Sequence, residues 1–223
     1  MIFLAIDLSL DNFNIIVGNK ENIIYSQSIK LFKNRDKILF DTLNIIKDSK
    51  ILDFKNLNAI YATIGPGNFN GVRIAISTIK AFALVNKNIK ISGISSFDAL
   101  VRSHKISSNV CVAVKSSPGF VYAQWFDLQF KYLSDIEVYN LENEYKLPVE
   151  RTNLAFLGNG SEILADKFDC KGLVINKNLI TTKGLFSAVN NLINNKLYTD
   201  ATPIYLKNTN IADPSTWKRS PII

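Results

Sequence analysis

Ala59-Ile60-Tyr61-Ala62-Thr63-Ile64-Gly65-Pro66-Gly67-Asn68-Phe69-Asn70-Gly71-Val72-Arg73 is the most informative stretch of this 223-residue chain. A short run of β-branched and aromatic residues enters a loop holding three glycines and a proline, and positions 74–85 beyond it are almost all apolar. The pattern predicts a strand, a tight loop and a buried helix. Gly65, Gly67 and Gly71 accept backbone angles that a Cβ resists, Pro66 stiffens the turn, and Asn68 or Asn70 is placed to cap the helix. Such a loop has two readings. Its backbone N–H groups at a helix N-terminus would suit an anion such as a nucleotide phosphate, or the glycines would serve the turn alone. The spacing is neither that of the P-loop nor that of the Gly-x-Gly-x-x-Gly fingerprint, so turn geometry is the simpler reading.

Before that loop, residues 2–6 form an apolar run that stops at Asp7-Leu8-Ser9, and further strands are predicted over 14–18 and 23–29, joined by a turn at 19–22. These three make an antiparallel meander. Positions 34–49 carry Ile38, Thr42, Ile45 and Ser49 on one side, with Leu39, Leu43 and Ile46 beside them, a helical stripe opposite charged residues. After the loop and its helix, 89–94 reads as another strand. Three strands, helix, strand, helix, strand is the order of a ribonuclease-H-like α/β unit. A second unit is expected to begin near Ser107, with strands over 110–114, 120–128 and 133–138 and Ser117-Pro118-Gly119 as its first hairpin turn. Leu154-Ala155-Phe156-Leu157 then runs into Gly158-Asn159-Gly160-Ser161, a fainter echo of the first loop, before a strand at 173–175 and a helix over 185–195. The expected architecture is therefore α/β with duplicated ribonuclease-H-like domains. The divisions are residues 1–105 and 106–223, with the tail from Pro203 through Trp217 on the surface or disordered.

Composition sets outer bounds. Hydrophobic residues are 47% of the chain, ample for sizeable cores. The net charge of +7 suits an acidic partner such as RNA, but lysines are spread evenly and no cationic cluster is interleaved with aromatics. Cys111 lies in an apolar run, so reduced, buried thiols are expected for it and Cys170. No secretory leader and no membrane-length apolar run are visible, which favours the cytoplasm and no membrane partner.

Several chemistries lack their residues. A two-metal nuclease of this fold needs a carboxylate on the central strand, and residues 59–64 offer none to join Asp7. Zinc hydrolysis and histidine triads fail on a single histidine, His104, which is expected to be solvated. A phosphotransferase of the sugar-kinase and actin type wants a glycine-rich hairpin after the first strand, where this chain has Asp7-Leu8-Ser9-Leu10-Asp11-Asn12.

Ala5-Ile6-Asp7-Leu8-Ser9, Gly65-Pro66-Gly67-Asn68-Phe69-Asn70-Gly71-Val72-Arg73-Ile74 and Pro203-Ile204-Tyr205-Leu206-Lys207-Asn208, in this order and spacing, resemble the TsaB (YeaZ) family. The resemblance covers essentially the whole chain, with Asn68 and Asn70 standing where the family usually has Ser and Thr. It implies a member of the actin-like ATPase superfamily (ASKHA fold) that acts as a non-catalytic scaffold subunit, pairing with the transferase TsaD in making N6-threonylcarbamoyladenosine at position 37 of tRNA. TsaE joins that complex, and tRNA is met through it. A homodimer is an option when TsaD is absent. On the two helices that form the family's pairing surface, the partner-facing residues are expected to be Ile38, Thr42, Ile45, Val72, Ala75, Ile76, Ile79 and Lys80. Gly65, Pro66, Gly67, Asn68, Phe69, Asn70, Gly71 and Arg73 form the structural loop, and no catalytic residue, metal or cofactor is implied. Two departures, Asn34-Arg35 for His-Ser and Lys115-Ser116-Ser117 for Asp-Ala-Arg, fall where partner contacts are expected. The alternatives left by the residues are an ATP-binding phosphotransferase of the same fold and a stand-alone RNA-binding module.

Overall fold

The computed structural model describes residues 1–30, 33–149, 154–170 and 172–206. In its first half, β1 (Ile2–Asp7), β2 (Asn12–Asn19) and β3 (Ile23–Lys30) form the antiparallel meander, and β4 (Ala59–Thr63) and β5 (Lys90–Ile94) extend it in parallel, in the order β3-β2-β1-β4-β5. The second half repeats this plan. β6 (Asn109–Lys115), β7 (Phe120–Phe126) and β8 (Glu137–Asn140) are antiparallel neighbours, while β9 (Leu154–Leu157) lies parallel to β6 and β10 (Leu173–Ile175) parallel to β9. The duplicated α/β class expected from the element order is what the chain adopts.

Strand alternation decides which layer each side chain enters. On β1, Leu4 and Ile6 face α1 (Arg35–Asp48) and α2 (Phe69–Val85), in a cluster with Leu39, Ile46, Ala75 and Ile79. Phe3 and Ala5 face the other way, into a layer built by α3 (Ser96–Val101) and α5 (Thr182–Asn194). Val110 and Val112 of β6 enter the same layer from the second sheet, whereas Cys111 and Ala113 face α4 (Ser161–Lys167). One apolar cluster therefore joins the inner faces of both sheets around α3 and α5. Cys111 is fully buried, and that burial pushes its thiol well above the ordinary range.

Three elements differ from expectation. The third strand of the second half lies at 137–140 rather than 133–138. The Asp127 carboxylate, which accepts from the N–H groups of Gln129 and Lys131 at 2.8 Å each, folds the chain into a turn after β7 and delays the next strand. Helix α3 is one and a half turns started by Ser95, whose hydroxyl accepts from Phe97 N–H. Residues 203–206 lie at the surface, as one of the two expectations had it, but they are pinned there: Gly93 N–H donates to Thr199 O and Ile204 N–H donates to Ile64 O, each at 2.8 Å, which holds the segment against the first sheet. Lys207, Asn208 and Trp217 lie outside the described residues.

Candidate functional site

The β4–α2 corner rests directly on the β1–β2 hairpin. A Cβ on Gly71 would overlap the Leu8 carbonyl oxygen, and one on Gly67 would overlap the Ser9 carbonyl oxygen. The same approach lets Asn68 N–H donate to Ser9 O at 2.6 Å, while the Asn68 side chain accepts from Gly71 N–H at 2.9 Å and caps the helix. These loop donors are committed to the protein's own oxygens. The glycines serve a backbone contact, which favours the turn-geometry reading over the anion cradle.

Asp7, at the end of β1, is fully buried. Its carboxylate accepts from Ser9 N–H at 2.9 Å, Ser9 Oγ–H at 2.6 Å, Thr63 Oγ1–H at 2.9 Å and Asn14 Nδ2–H at 2.9 Å. Burial raises its pKa above the ordinary carboxylate value, and those four donors pull it back. Arg35 closes the hairpin from above, donating through Nη1 to Leu8 O at 2.9 Å and Leu10 O at 3.2 Å. Sequence reasoning marked Arg35 only as a departure from a family pattern. Nothing in its neighbourhood along the chain signals that it spans to carbonyls more than twenty residues away.

Between the two sheets, next to this corner, lies a cleft of about 630 Å³ with Arg35 and Asn68 on one wall, Lys115, Tyr122 and Asn159 on the other, and Tyr205 at its edge. Asn12 and Asn14 cross the inter-sheet space, donating to Ile180 O at 2.7 and 2.8 Å and tying the first meander to the start of α5. His104 is half-buried rather than solvated, and burial first, with Lys177 second, lowers its pKa. Among the described residues no group of three or more His, Cys, Asp and Glu side chains could hold a metal.

The second candidate is the outer surface of α1 and α2. Val72, Ala75, Ile76 and Ile79, expected to face a partner, are instead buried against the chain's own sheet, and Thr42 of α1 is buried as well. The physical reason is the parallel sheet beneath α2, which takes the helix face at 72, 75, 76 and 79 for the core. Ile38 is half-buried, and Ile45 and Lys80 are exposed. The apolar residues that face solvent lie one step around the helices: Phe40 on α1, Phe69 at the start of α2, and Leu84 and Val85 at its end, the last two 82% and 91% exposed. Arg73 lies over the Phe69 ring at 5.1 Å, and a groove of about 670 Å³ runs between the helices from Asp36 and Phe40 to Ala81 and Phe82. No helix among the described residues is long and apolar enough to cross a membrane.

A family model described as TsaD, tRNA N6-adenosine threonylcarbamoyltransferase, matches residues 37–167. The tRNA threonylcarbamoyladenosine biosynthesis protein TsaB of Buchnera aphidicola subsp. Schizaphis graminum is 36% identical over 126 residues, 54% of this chain and 58% of that protein. The match thus spans little more than half the length of this curated relative. YeaZ from Pseudomonas aeruginosa superposes with a TM-score of 0.78 at 18% identity, covering 92% of this chain and 99% of that one. A second crystal structure, described as an uncharacterized protein with similarity to peptidase YEAZ from the same organism, gives 0.79 at 18% identity over the same shares. At that identity the two structures establish a shared fold.

Proposed function

This chain belongs to the family described as TsaD, tRNA N6-adenosine threonylcarbamoyltransferase, and on that premise we propose that it is the non-catalytic partner subunit in making N6-threonylcarbamoyladenosine in tRNA. The match to a biosynthesis protein named TsaB supports the subunit reading. A single histidine in the whole chain supports it further, because histidine-held metal chemistry has no ligand set here. In this reading TsaD is the bound partner, TsaE joins the pair, tRNA is met through the complex in the cytoplasm, and two copies of the chain pair with each other when TsaD is absent.

One observation carries the proposal. The first half presents Phe40, Ile45, Leu84 and Val85 to solvent on two adjacent helices that the sheet has already satisfied on their inner sides. Phe40 and Val85 line hollows that meet at Phe82, and contiguous exposed apolar surface of this kind marks a place that another protein covers. The buried hairpin supports the absence of kinase chemistry, because the Ser9 and Leu8 carbonyls sit under Gly67 and Gly71 and Arg35 occupies the remaining side.

The test is a reconstituted modification assay with TsaD, TsaE, the adenylate-forming enzyme and tRNA. Leaving this chain out is expected to stop modification, and Leu84→Asp or Phe40→Asp is expected to abolish co-elution with TsaD while the isolated chain stays folded. Modification at an unchanged rate without the chain would sink the reading.

A further inference from the structure

The groove between α1 and α2 continues past Phe82. Its hollow of about 670 Å³ and a second of about 590 Å³ share Ala81 and Phe82, so one trough runs along α2 from Phe40 and Arg73 to Phe54 and Val85. The far end holds two aromatic rings, Phe54 and Phe82, with centroids 5.2 Å apart, and the rest of its lining is apolar but for Lys55 and Asn86. A ring pair of this kind offers both faces and edges to a third aromatic side chain.

The described chain ends at the opposite end of that trough. Ile204 N–H is tied to Ile64 O at 2.8 Å, and the Tyr205 ring then lies 5.8 Å from the ring of Phe69, the first residue of α2. Arg73, which lines the groove, lies over the same Phe69 ring at 5.1 Å. Leu206 is therefore delivered to the N-terminal mouth of the trough. Seventeen residues follow it, 207–223, and they carry Ile211, Trp217, Ile222 and Ile223. Phe82 is thirteen positions beyond Phe69, about 20 Å along a helix, whereas Trp217 is eleven positions beyond Leu206, a reach of up to about 36 Å. The tether is long enough, with slack to spare. A segment held so near its groove acts at about millimolar effective concentration, which favours it over a free competitor in dilute solution.

We propose that residues 207–223 occupy this trough, with Trp217 seated on Phe54 and Phe82, so that the chain covers its own α1–α2 face until a partner displaces the segment. The displacement rests on the pairing with TsaD proposed above; the seating of Trp217 does not.

Tryptophan quenching reads the seating in the full chain, because there are only two tryptophans and the other, Trp125, is fully buried in the second half. Acrylamide quenching of Trp217, taken as the full chain less Trp217→Phe, is expected to be at least threefold weaker than that of a synthetic peptide of residues 207–223. Ala81→Arg sets a long side chain across the middle of the trough from an exposed helix position and is expected to raise the quenching to the peptide's value. Val85→Arg, at a side chain 91% exposed, is expected to act in the same direction, while Glu162→Arg on the outer side of α4 leaves the signal unchanged. Quenching in the full chain equal to that of the peptide, or unaltered by both trough variants, would overturn the proposal. So would shielding that disappears on dilution, which would give the trough to the tail of a second copy. In titrations with TsaD, Trp217→Ser is expected to bind several-fold more tightly than the wild type, and equal affinities would overturn the displacement. Failure of TsaD to bind either form would remove the pairing and leave the seated Trp217 to stand on its quenching.

Discussion

The chain turns from a central strand into a helix twice, once at Thr63–Gly71 and once at Leu157–Ser161, and the two corners solve one problem with different side chains. Both press a glycine onto the first strand of their own sheet or the hairpin that follows it: Gly71 and Gly67 onto Leu8 O and Ser9 O just beyond β1, and Gly158 onto Ala113 O within β6. Both use an asparagine. Asn68 turns forward to cap its helix at Gly71 N–H, whereas Asn159 reaches back and accepts from Lys115 N–H at 2.8 Å to hold the end of β6. The helices that follow diverge further. Helix α2 runs 17 residues and ends with Leu84 and Val85 in solvent, while α4 runs 7 and shows Glu162 and Asp166 outward. A duplicated backbone plan therefore does not duplicate the surface. The plan secures the fold, and the helix after the first corner, unlike α4, ends with apolar side chains in solvent.

The sharpest way to break this comparison is to add one carbon to each corner. Gly71→Ala forces the new methyl into the Leu8 carbonyl, backbone against backbone with no rotamer to yield, and is expected to lower unfolding stability by about 4 kcal/mol or more. Gly160→Ala meets a Val121 methyl at 2.8 Å and the Ala113 carbonyl carbon at 3.2 Å, a side chain that can shift, so a loss of about 1–2 kcal/mol is expected. Urea unfolding of the two variants measures the difference. Equal losses would mean that the Val121 side chain cannot shift to admit the new methyl at position 160.

The next contrast lies within α2. Ile79→Asp buries a charge in the sheet-facing side and is expected to cost about 3–4 kcal/mol, whereas Leu84→Asp, with its side chain in solvent, is expected to stay within about 0.5 kcal/mol of the wild type. In co-elution with TsaD the order reverses, Leu84→Asp being the damaging change in a folded chain. Loss of stability in Leu84→Asp comparable to that of Ile79→Asp would show that the outer end of α2 is core after all.

The strand ends differ too, Asp7 being buried at the end of β1 and Lys115 exposed at the end of β6. Burial raises the folded-state pKa of Asp7 above its ordinary 3.8, so the folded chain holds that proton more tightly than the unfolded one. This contribution is neutral below the ordinary value and becomes destabilising as pH rises through the folded-state value. Asp7→Asn loses acceptor hydrogen bonds and is less stable at low pH, but it lacks that slope. The stability gap between variant and wild type is therefore expected to narrow as pH rises from about 3.8. Unfolding curves across that range check the sign, and a gap that widens would mean that the four donors outweigh burial.

Much of this was legible in the residues. Periodicity and turn chemistry located the strands of both halves and the two long helices after them, because apolar period and glycine-asparagine loops are local signals. The side of α2 that would meet a partner was not legible. An apolar helix over a parallel sheet shows hydrophobic residues on both flanks, and only the register of the sheet decides that 72, 75, 76 and 79 go inward. Arg35 was invisible for a related reason: it matters through carbonyls more than twenty residues away along the chain. The delayed strand β8 was missed because Asp127 reads as an ordinary polar residue until its turn is seen.

The smallest effect isolates the capping groups of the two corners. Asn68 satisfies a helix N-terminal N–H with its side chain, so Asn68→Ala is expected to cost about 1 kcal/mol. At the second corner Gly160 occupies the cap with no side-chain bond, and the hydroxyl of Ser161 is buried without a partner among the described residues. Ser161→Ala removes an oxygen that was desolvated and received nothing for it, so its effect is expected to be near zero or slightly stabilising. A double variant should give the sum of the two, since the corners sit on different sheets. If Ser161→Ala costs as much as Asn68→Ala, that hydroxyl is held by an ordered water, and the two corners are capped to the same degree by different means.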